Sequence, residues 1–304
     1  MNRNSIYYKQ VQLLMQVLPF VAKQSCFALK GGTAINLFVR EFPRLSVDID
    51  LVYLPMKGRD EALQEISEAL DTISTNLQTA FKDMKLTEAY KSKRDSLRLV
   101  VARNGVQIKV ELSPVLRGTV YEPALMEVCE SVEEEFGYVE TPVVALADLY
   151  AGKICAALDR QHPRDLFDVK GLLENEGLTD EIRKAFIVYL SSHNRPMAEL
   201  LRPQYKDISA IYEGEFENMT QTVVPLDELV AVRERLVGLI HEGLTDDERE
   251  FLISFKNRKP NWDLLGLDGI SQLPAIKWKQ INLAKMPDVK HKQALGQLES
   301  ILAK

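Results

Sequence analysis

The sequence predicts an α+β fold with two domains, a mixed first domain and a mainly helical second domain. Strand-like alternation and a hairpin turn occur between residues 47 and 112. Beyond Pro142, nearly every apolar stretch has the spacing of a helix. The length of 304 residues fits two domains of ordinary size. We therefore expect a first domain at residues 1–141 and a helical second domain at residues 142–304.

Composition narrows the class of protein. The chain is 46% hydrophobic and 27% charged, which is typical of globular proteins. Cys26, Cys129 and Cys155 form no C-x-x-C pair, which excludes a disulfide scaffold or a thiolate zinc site and fits a reducing cytoplasm. No apolar run approaches the ~18 residues that cross a bilayer, so we expect a cytoplasmic protein without a membrane segment. The net charge of −6 argues against indiscriminate nucleic-acid binding, but not against a local basic groove.

The first domain is expected to begin with a helix, a strand, a turn and a second helix. Apolar spacing predicts a helix over Tyr7–Phe20, and the apolar run Cys26–Leu29 predicts a buried strand. Gly31-Gly32 predicts a tight turn, after which Thr33 is expected to cap a helix over Ala34–Val39.

A long helix and a hairpin are expected next. Residues from Glu61 to Tyr90 carry one apolar stripe at helical spacing, which predicts a single helix. Asn104-Gly105 is the favoured pair of a type I′ turn, and it joins the predicted strands Leu97–Ala102 and Val106–Leu112. The apolar residues of the acidic segment Pro114–Gly137 have neither helical nor strand-like spacing, so we expect this segment to be irregular.

The second domain is predicted to be built from helices, and it carries a basic segment. The helices expected are Val144–Arg160, Pro163–Glu174, Thr179–Ser191, Pro225–Glu242 and Thr245–Phe255. Thr245 and Glu248 have the spacing of a capping box. Residues 256–292 hold eight Lys or Arg and three Asp, so this segment carries +5 in a chain of −6. Within it, Leu273–Lys279 combines Trp278 with two lysines, which suits an RNA-facing strip, although tryptophan is more often a core anchor.

The Gly31-Gly32 turn is the first feature with chemical meaning. A strand that ends in two glycines and enters a helix presents free backbone N–H groups to which a phosphate can come close. Gly-Gly turns are common, so the turn alone is weak evidence for phosphate binding.

Asp48 and Asp50 strengthen the phosphate interpretation. They lie in Val47–Val52, whose alternation of apolar and acidic residues predicts a strand with both carboxylates on one face. Two like charges at this separation repel, and a divalent cation would relieve the repulsion. Hard oxygen ligands with open positions for triphosphate oxygens suit Mg²⁺. The alternative is an exposed edge strand with a solvated acidic face, which the apolar residues on the opposite face make less favourable.

Glu111 is a third candidate carboxylate. It lies on the polar face of the predicted strand Val106–Leu112, beside Lys109. If this strand pairs with the one that carries Asp48 and Asp50, three acids would converge, two to bind metal and one to polarise an attacking hydroxyl. The alternative is a Lys–Glu pair on a solvated face.

Opposite charges surround the helix start at Pro163. Lys153 and Arg160 share one face of the helix before it, and Asp165 and Asp168 share one side of the helix that it opens. These four side chains could clamp a nucleotide. They could equally complement the helix dipole and form surface ion pairs that contribute little.

Together these motifs resemble the DNA polymerase β-like nucleotidyltransferase superfamily and, more closely, the AbiEii/AbiGii toxin family. The matching segments span nearly the whole chain, and the first and the Arg-Asp-x-x-Asp segment are the specific ones. The segments are Leu29–Ala34 with Phe42–Leu51, Ile108–Glu111, Ala147–Arg160, Arg164–Asp168 and Leu273–Lys279.

The resemblance implies a fold and an activity. It implies a nucleotidyltransferase lobe with a small mixed sheet flanked by helices, followed by a mainly helical lobe. Members use a nucleoside triphosphate (NTP) and Mg²⁺. Several act as toxins of toxin–antitoxin or phage-defence systems, and some modify the 3′ end of tRNA. A separate antitoxin accompanies them, often as a repressor, so a cognate antitoxin is an expected partner with or without direct contact.

The resemblance also implies roles for individual residues. Asp48 and Asp50 would hold the metal, Lys153 would contact the triphosphate, and either Asp165 or Asp168 would complete the site. The residues expected to take part in catalysis are Asp48, Asp50, Glu111, Lys153 and Asp165. The residues expected at the nucleotide and its phosphates are Gly31, Gly32, Thr33, Ser46, Lys109, Arg164 and Asp168.

The favoured function is therefore Mg²⁺-dependent transfer of nucleotides from an NTP to an acceptor hydroxyl, with a tRNA 3′ end as the expected acceptor. One alternative is a nucleotidyltransferase whose acceptor is a small-molecule or protein hydroxyl. It would act without RNA and depend weakly on salt. Another is a catalytically inactive module that binds a nucleotide or the antitoxin, against which the intact Asp48 and Asp50 pair argues.

Overall fold

The computed structural model describes Arg3 and residues 5–303, and the chain divides into two compact units. The first unit comprises residues 1–145 and 218–223, and the second comprises residues 146–217 and 224–304. Hydrogen bonds hold the short segment 218–223 in the first unit, from Leu45 N to Met219 O (2.8 Å) and from Gln221 N to Pro43 O (2.9 Å). Nothing in the apolar pattern of the sequence predicts this return of the chain.

The first unit is built on a seven-stranded mixed sheet. Its strands are β1 (Phe27–Lys30), β2 (Asp48–Tyr53), β3 (Lys85–Glu88), β4 (Arg98–Arg103), β5 (Val106–Leu112), β6 (Ala124–Glu127) and β7 (Glu140–Val143). They lie in the order β3-β4-β5-β2-β1-β7-β6. The pairs β2/β5 and β1/β7 are parallel and the other neighbours are antiparallel. Pro142, near which the sequence predicts the domain boundary, lies within β7.

The first unit also contains helices. They are α1 (Ile6–Ala22), α2 (Gly31–Ala34), α3 (Arg59–Ala80), α4 (Ala89–Ser92) and α5 (Glu130–Phe136). α1 packs on β5, β7 and α3, and α2 continues as a π-helical turn over Ile35–Val39. Ile49 and Leu51 of β2 are buried in the core, so their neighbours along the strand lie on the opposite face.

The single helix predicted over Glu61–Tyr90 is wrong in its last third. α3 ends at Ala80, and β3 then pairs antiparallel with β4. The helical spacing continues past Ala80 because two further apolar side chains join the core from non-helical backbone. Phe81 packs against Phe20 with ring centroids 6.0 Å apart, and Met84 is buried.

Two other expectations have different outcomes. The hairpin is confirmed, with positive φ values at Asn104 (50°) and Gly105 (78°) as a type I′ turn requires. The expectation that Pro114–Gly137 is irregular is wrong in part, because this segment contains β6 and α5. β6 is mostly exposed, so no buried apolar positions mark it in the sequence.

The second unit is helical. Its helices are α6 (Leu146–Asp159), α7 (Pro163–Glu174), α8 (Asp180–Ser192), α9 (Met197–Leu201), α10 (Ser209–Glu215), α11 (Leu226–Gly243), α12 (Asp246–Lys256), α13 (Pro274–Ala284) and α14 (Asp288–Leu302). Each of the five predicted helices is present within two residues of its expected ends, and the Thr245–Glu248 capping box is confirmed. α6 packs on both α7 and α8. Among the described residues, no helix is long and apolar enough to span a membrane.

Candidate active site

β2 places two carboxylates on one face of the sheet. Asp48 and Asp50 alternate with Ile49 and Leu51, which are 0% and 1% exposed, so both acids lie opposite the core. Both aspartates are half-buried. β2 is an interior strand of the sheet, flanked by β5 and β1, so it is not the exposed edge strand of the alternative interpretation.

The neighbours of β2 determine which side chains lie beside these acids. β5 pairs parallel with β2 and places Lys109 beside Asp48 and Glu111 beside Asp50. On the other side, β1 places Lys30 beside Asp50. The three acidic residues are therefore on adjacent strands, as convergence requires, and Lys109 belongs to the same patch.

Glu111 has a cationic partner of its own. Arg98 of β4 is its register neighbour, and Arg98 Nε forms an ion pair with Glu111 Oε1. This contact lacks hydrogen-bond geometry, so it is a charge pair only. Within Arg3 and residues 5–303, no group of three or more His, Cys, Asp or Glu is arranged to hold a metal ion. Arg98 is not among the residues expected from the sequence, although the two-residue turn at Asn104-Gly105 fixes the register that pairs Arg98 with Glu111.

The Asp50 carboxylate lies against the backbone of Gly31. A Cβ atom on Gly31 would lie 2.5 Å from Asp50 Oδ2, and Gly31 has φ +76°, a value that other residues rarely adopt. α2 begins at this glycine. A glycine is therefore required for Asp50 to lie at the start of the helix.

Gly32 lies against a buried cation. A Cβ atom on Gly32 would lie 2.7 Å from Arg44 Nη2 and 3.0 Å from Ser46 Oγ. Arg44 is only 2% exposed, and its Nη1 donates to the carbonyl oxygen of Leu45 (2.8 Å). The sequence gives Arg44 no distinguishing signal beyond its place two residues before Ser46, because only the fold shows a charge buried beside the glycines.

Thr33 does not cap a helix, contrary to the prediction. The glycines that were expected to form a turn begin the helix themselves, so Thr33 lies inside α2. Its hydroxyl hydrogen-bonds to the carbonyl oxygen of Asp48 (2.5 Å) and to the hydroxyl of Ser46 (3.0 Å). These bonds join α2 to the first residue of β2 and fix the position of the acidic strand.

In the second unit, Lys153 is the centre of a buried ion cluster. Its Nζ lies 2.8 Å from Asp165 Oδ1 and 3.0 Å from Asp168 Oδ2. The side chains of Lys153, Asp165 and Asp168 are 7%, 0% and 1% exposed. Arg160 adds hydrogen bonds to Asp165 at 2.5 and 2.9 Å. The second unit therefore brings together the four residues that the sequence places around Pro163.

The cluster is charged and joins two helices. Burial raises the pKa of the Asp165 carboxyl, but the charges and hydrogen bonds of Lys153 and Arg160 outweigh burial and hold this pKa well below its usual range. Lys153 lies on α6, and Asp165 and Asp168 lie on α7. Because the acids are buried, the alternative of weak surface ion pairs does not describe this cluster.

Arg164 lies outside the buried cluster. Its backbone N–H donates to His162 Nδ1 (3.1 Å), and this bond caps α7. Its guanidinium lies 3.8 Å from Glu215 Oε2, with 32% of the side chain exposed. The structure thus gives Arg164 a different carboxylate partner from Lys153.

Comparison with known families identifies the class of protein. A family model described as "nucleotidyl transferase AbiEii toxin, type IV toxin–antitoxin system" matches residues 12–264. The chain belongs to the AbiEii family. The resemblance expected from the motifs is confirmed, and this AbiEii protein is a nucleotidyltransferase toxin of the type IV toxin–antitoxin class.

A comparison of structures supports the fold. The AbiEii chain is similar to MenT4, a nucleotidyltransferase toxin from Mycobacterium tuberculosis H37Rv, with 15% identity and a TM-score of 0.62. The match covers 93% of this chain and 95% of MenT4. At this identity the likeness shows the fold alone, and it confirms the predicted α+β class. No curated protein matches the sequence.

The contact between Gly31 and Asp50 leads to a stability prediction. Gly31→Ala should lower the free energy of unfolding by about 1–3 kcal/mol, because alanine must adopt a strained φ and displace the Asp50 carboxylate. Urea unfolding measures the change. The matched control is Gly58→Ala, since Gly58 has φ −56° and a Cβ atom on it would meet nothing within 4 Å. Equal effects of the two substitutions would contradict the contact.

The low pKa of Asp165 leads to a pH-dependent prediction. Asp165→Asn should cost about 3–5 kcal/mol of unfolding free energy at neutral pH, because it leaves the buried Lys153 ammonium without full compensation. The folded pKa lies below the unfolded value of about 3.9. The stabilisation is therefore present above about pH 4 and is lost as the pH falls toward the folded pKa, so the difference from wild type should shrink in acid.

Urea unfolding between neutral pH and pH 3 measures this difference. The control is Asp180→Asn, whose side chain is 83% exposed in an ion pair with Arg183 and should contribute less than about 1 kcal/mol. A cost for Asp165→Asn that is as small as the control's would show that the cluster does not stabilise the fold. A larger cost that stays constant through acid would show that the ionised Asp165 carboxylate is not its source.

Proposed function

We propose that this AbiEii toxin transfers nucleotides from an NTP to an acceptor hydroxyl, that the reaction requires Mg²⁺, and that the acceptor is the 3′ end of a tRNA. One observation carries the proposal. Asp48 and Asp50 share a face of β2, and the Asp50 carboxylate lies directly against Gly31 at the start of α2. Carboxylates that suit a cation thus adjoin backbone N–H groups that suit a phosphate.

The donor set fits Mg²⁺. Proteins commonly hold this ion through one or two carboxylates, and phosphate oxygens of the substrate complete its coordination. Asp48 and Asp50 supply two carboxylates on one face, and Glu111 lies one strand away from Asp50. Asp48 and Asp50 would be the ligands, and the ion would supply positive charge next to the reacting phosphates and the departing pyrophosphate.

The chain's own residues would orient the triphosphate. The triphosphate would lie at Gly31 and Gly32, where the Arg44 guanidinium and the Ser46 hydroxyl lie against Gly32. Lys109, beside Asp48, supplies a nearby positive charge. Placing cations and N–H donors before the reaction stabilises charge as it develops on the phosphate oxygens.

In the transfer step, the acceptor hydroxyl oxygen forms a bond to the α-phosphorus while the bond from the α-phosphorus to the bridging oxygen of pyrophosphate breaks. The hydroxyl proton must leave as the new bond forms. Glu111 is the carboxylate next to Asp50 in the strand register, and we assign it the role of proton acceptor. Its ion pair with Arg98 would hold the carboxylate in place.

We also propose that the Lys153 cluster is needed for the reaction. Lys153 would take part in catalysis, as the family resemblance implies, and Asp165 would hold its ammonium group through the 2.8 Å contact. Asp168 and Arg164 remain candidate nucleotide-binding residues of the same unit. Of the two acids, Asp165 is bonded to both Lys153 and Arg160, so we assign it the greater importance.

An RNA acceptor finds support in the basic segment 256–292. α13 exposes Lys277 and 49% of Trp278, a cation and an aromatic surface side by side. Lys279 is less available, since it donates to the carbonyl oxygen of His193 and burial lowers its pKa to about 8. We further propose that the protein acts in the cytoplasm, in phage defence, and is neutralised by a cognate antitoxin.

The proposal predicts the effect of removing one metal-holding carboxylate. Asp48→Asn or Asp50→Asn should reduce nucleotide transfer by about 10³-fold or more, because several kcal/mol of transition-state stabilisation are lost. The assay incubates purified protein with each labelled NTP, Mg²⁺ and total RNA, and follows label in a tRNA-sized band. Asp83→Asn is the matched control, because Asp83 pairs with Arg103 in the same unit and has no proposed role.

Other outcomes of this assay would overturn parts of the proposal. Label found on a protein, or on a small molecule when no RNA is present, would show that the acceptor is not a tRNA. Full activity of the Asp48 and Asp50 variants would exclude the proposed metal ligands. No transfer by the wild type with any NTP, together with full toxicity of Asp48→Asn in cells, would favour an inactive binding module.

A further inference from the structure

A cavity of about 580 Å³ lies wholly within the second unit. The end of α6, the helix α9, the loop 202–206 after it and the end of α14 line this cavity. Its charged lining residues are Arg195, Arg202 and Lys206 against Glu199. The cavity is therefore positively charged in a chain with a net charge of −6. None of the residues placed above at the metal, the phosphates or the ion cluster lines it.

An aromatic ring lines the cavity on a rigid support. The Tyr205 side chain is 47% exposed, and the Arg233 guanidinium lies 4.3 Å from its ring centroid. Arg233 is itself 5% exposed, and its Nη1 donates to Gln161 Oε1 and to the carbonyl oxygen of Lys206, both at 2.9 Å. One side of the ring thus rests on a fixed cation, and its exposed surface is available to a flat ligand.

Gln161 fixes the loop that carries this ring. Gln161 is 2% exposed and has φ +56°, an unusual conformation for a residue other than glycine. Its Nε2 donates to the carbonyl oxygen of Gln204 (2.8 Å), and its Oε1 accepts from Lys206 N (3.0 Å). Gln161 directly follows Arg160, which binds Asp165, so the loop is held next to the ion cluster of α6 and α7.

The cationic side chains that line the cavity differ in whether they already have a partner in the protein. Arg195 forms an ion pair with Asp159 (2.5 Å), and Lys206 Nζ donates to the carbonyl oxygen of Asp159 (3.0 Å). The Arg202 side chain is exposed and makes no hydrogen bond or ion pair with any residue that the structure describes. An unpaired guanidinium beside an exposed aromatic ring is a combination that binds a phosphate and a stacked base.

We propose that this cavity binds one nucleotide unit of single-stranded RNA, with its base stacked on Tyr205 and its phosphate at Arg202 and Lys206. The inference rests on the proposed function in that the RNA would be the acceptor. The cavity is not built for a free triphosphate, since its described lining contains neither a glycine turn nor a pair of carboxylates. A base-paired strand does not fit, because its bases are already stacked on one another.

Binding of a labelled ten-nucleotide single-stranded RNA, followed by fluorescence anisotropy without NTP or Mg²⁺, tests the stacking. Tyr205→Leu should weaken binding about tenfold or more, whereas Tyr205→Phe, which keeps the ring, should bind like wild type. Equal affinity of Tyr205→Leu and wild type would overturn the proposal. Thermal unfolding shows whether Tyr205→Leu still folds, and if it does not, the Arg202 variant decides.

The salt dependence of the same binding tests the phosphate contact. Arg202→Gln should reduce the slope of log affinity against log salt by about 0.7, the value for one phosphate contact to a single strand. Arg235→Gln is the matched control, because Arg235 is exposed on α11 and does not line the cavity. An unchanged slope for Arg202→Gln, or an equal change in both variants, would contradict a specific contact.

Competition distinguishes the sources of the nucleotide. Unlabelled single-stranded RNA should displace the probe, whereas a duplex of the same sequence and adenosine monophosphate should displace it poorly. Displacement by the free nucleotide at similar concentration would overturn the assignment to an RNA strand. These binding measurements need no catalysis, so they can support the RNA site even if the protein transfers no nucleotide. Conversely, transfer to RNA together with normal RNA binding by Tyr205→Leu would overturn the RNA site and leave the proposed function intact.

Discussion

The Asp50 carboxylate and the Gly31 backbone lie so close together that no other residue than glycine fits at position 31. The antiparallel register of β1 and β2 causes this closeness, because it sets Lys30 beside Asp50 and so brings the next residue, Gly31, under the carboxylate. The hydroxyl of Thr33 then binds the carbonyl oxygen of Asp48. The start of α2 and the acidic strand are thus one rigid piece, on which the proposed metal and phosphate positions both depend.

The sequence predicts the local parts of this site well. Period-two alternation is enough to place Asp48 and Asp50 on one face, because the opposite face must be buried. The neighbours of those acids depend instead on the parallel pairing of β2 with β5, whose residues are about sixty positions apart in the chain. Arg44 lies against Gly32 through tertiary packing that no local pattern marks, whereas the β4/β5 hairpin register places Arg98 beside Glu111.

Tertiary packing also explains where the predicted fold differs from the structure. The predicted helix extends to Tyr90, but α3 ends at Ala80, because apolar spacing reports contact with the core rather than helical backbone. Phe81 packs against Phe20 and Met84 is buried, and neither residue is helical. The sequence predicts the start of a helix accurately where capping residues mark it, as the capping box of Thr245 shows. In the second unit, burial also separates cations that look alike in sequence. Lys153 is enclosed by two carboxylates, whereas Arg202 is exposed beside an aromatic ring.

A crystal structure of the protein with Mg²⁺ and a non-hydrolysable NTP analogue tests whether β2 and the double glycine form the nucleotide site. We expect an ion bound by the carboxylates of Asp48 and Asp50, with phosphate oxygens completing its coordination and a phosphate against Gly32 and Ser46. A structure in which the analogue binds elsewhere, and both carboxylates carry only solvent, would contradict the proposed chemistry.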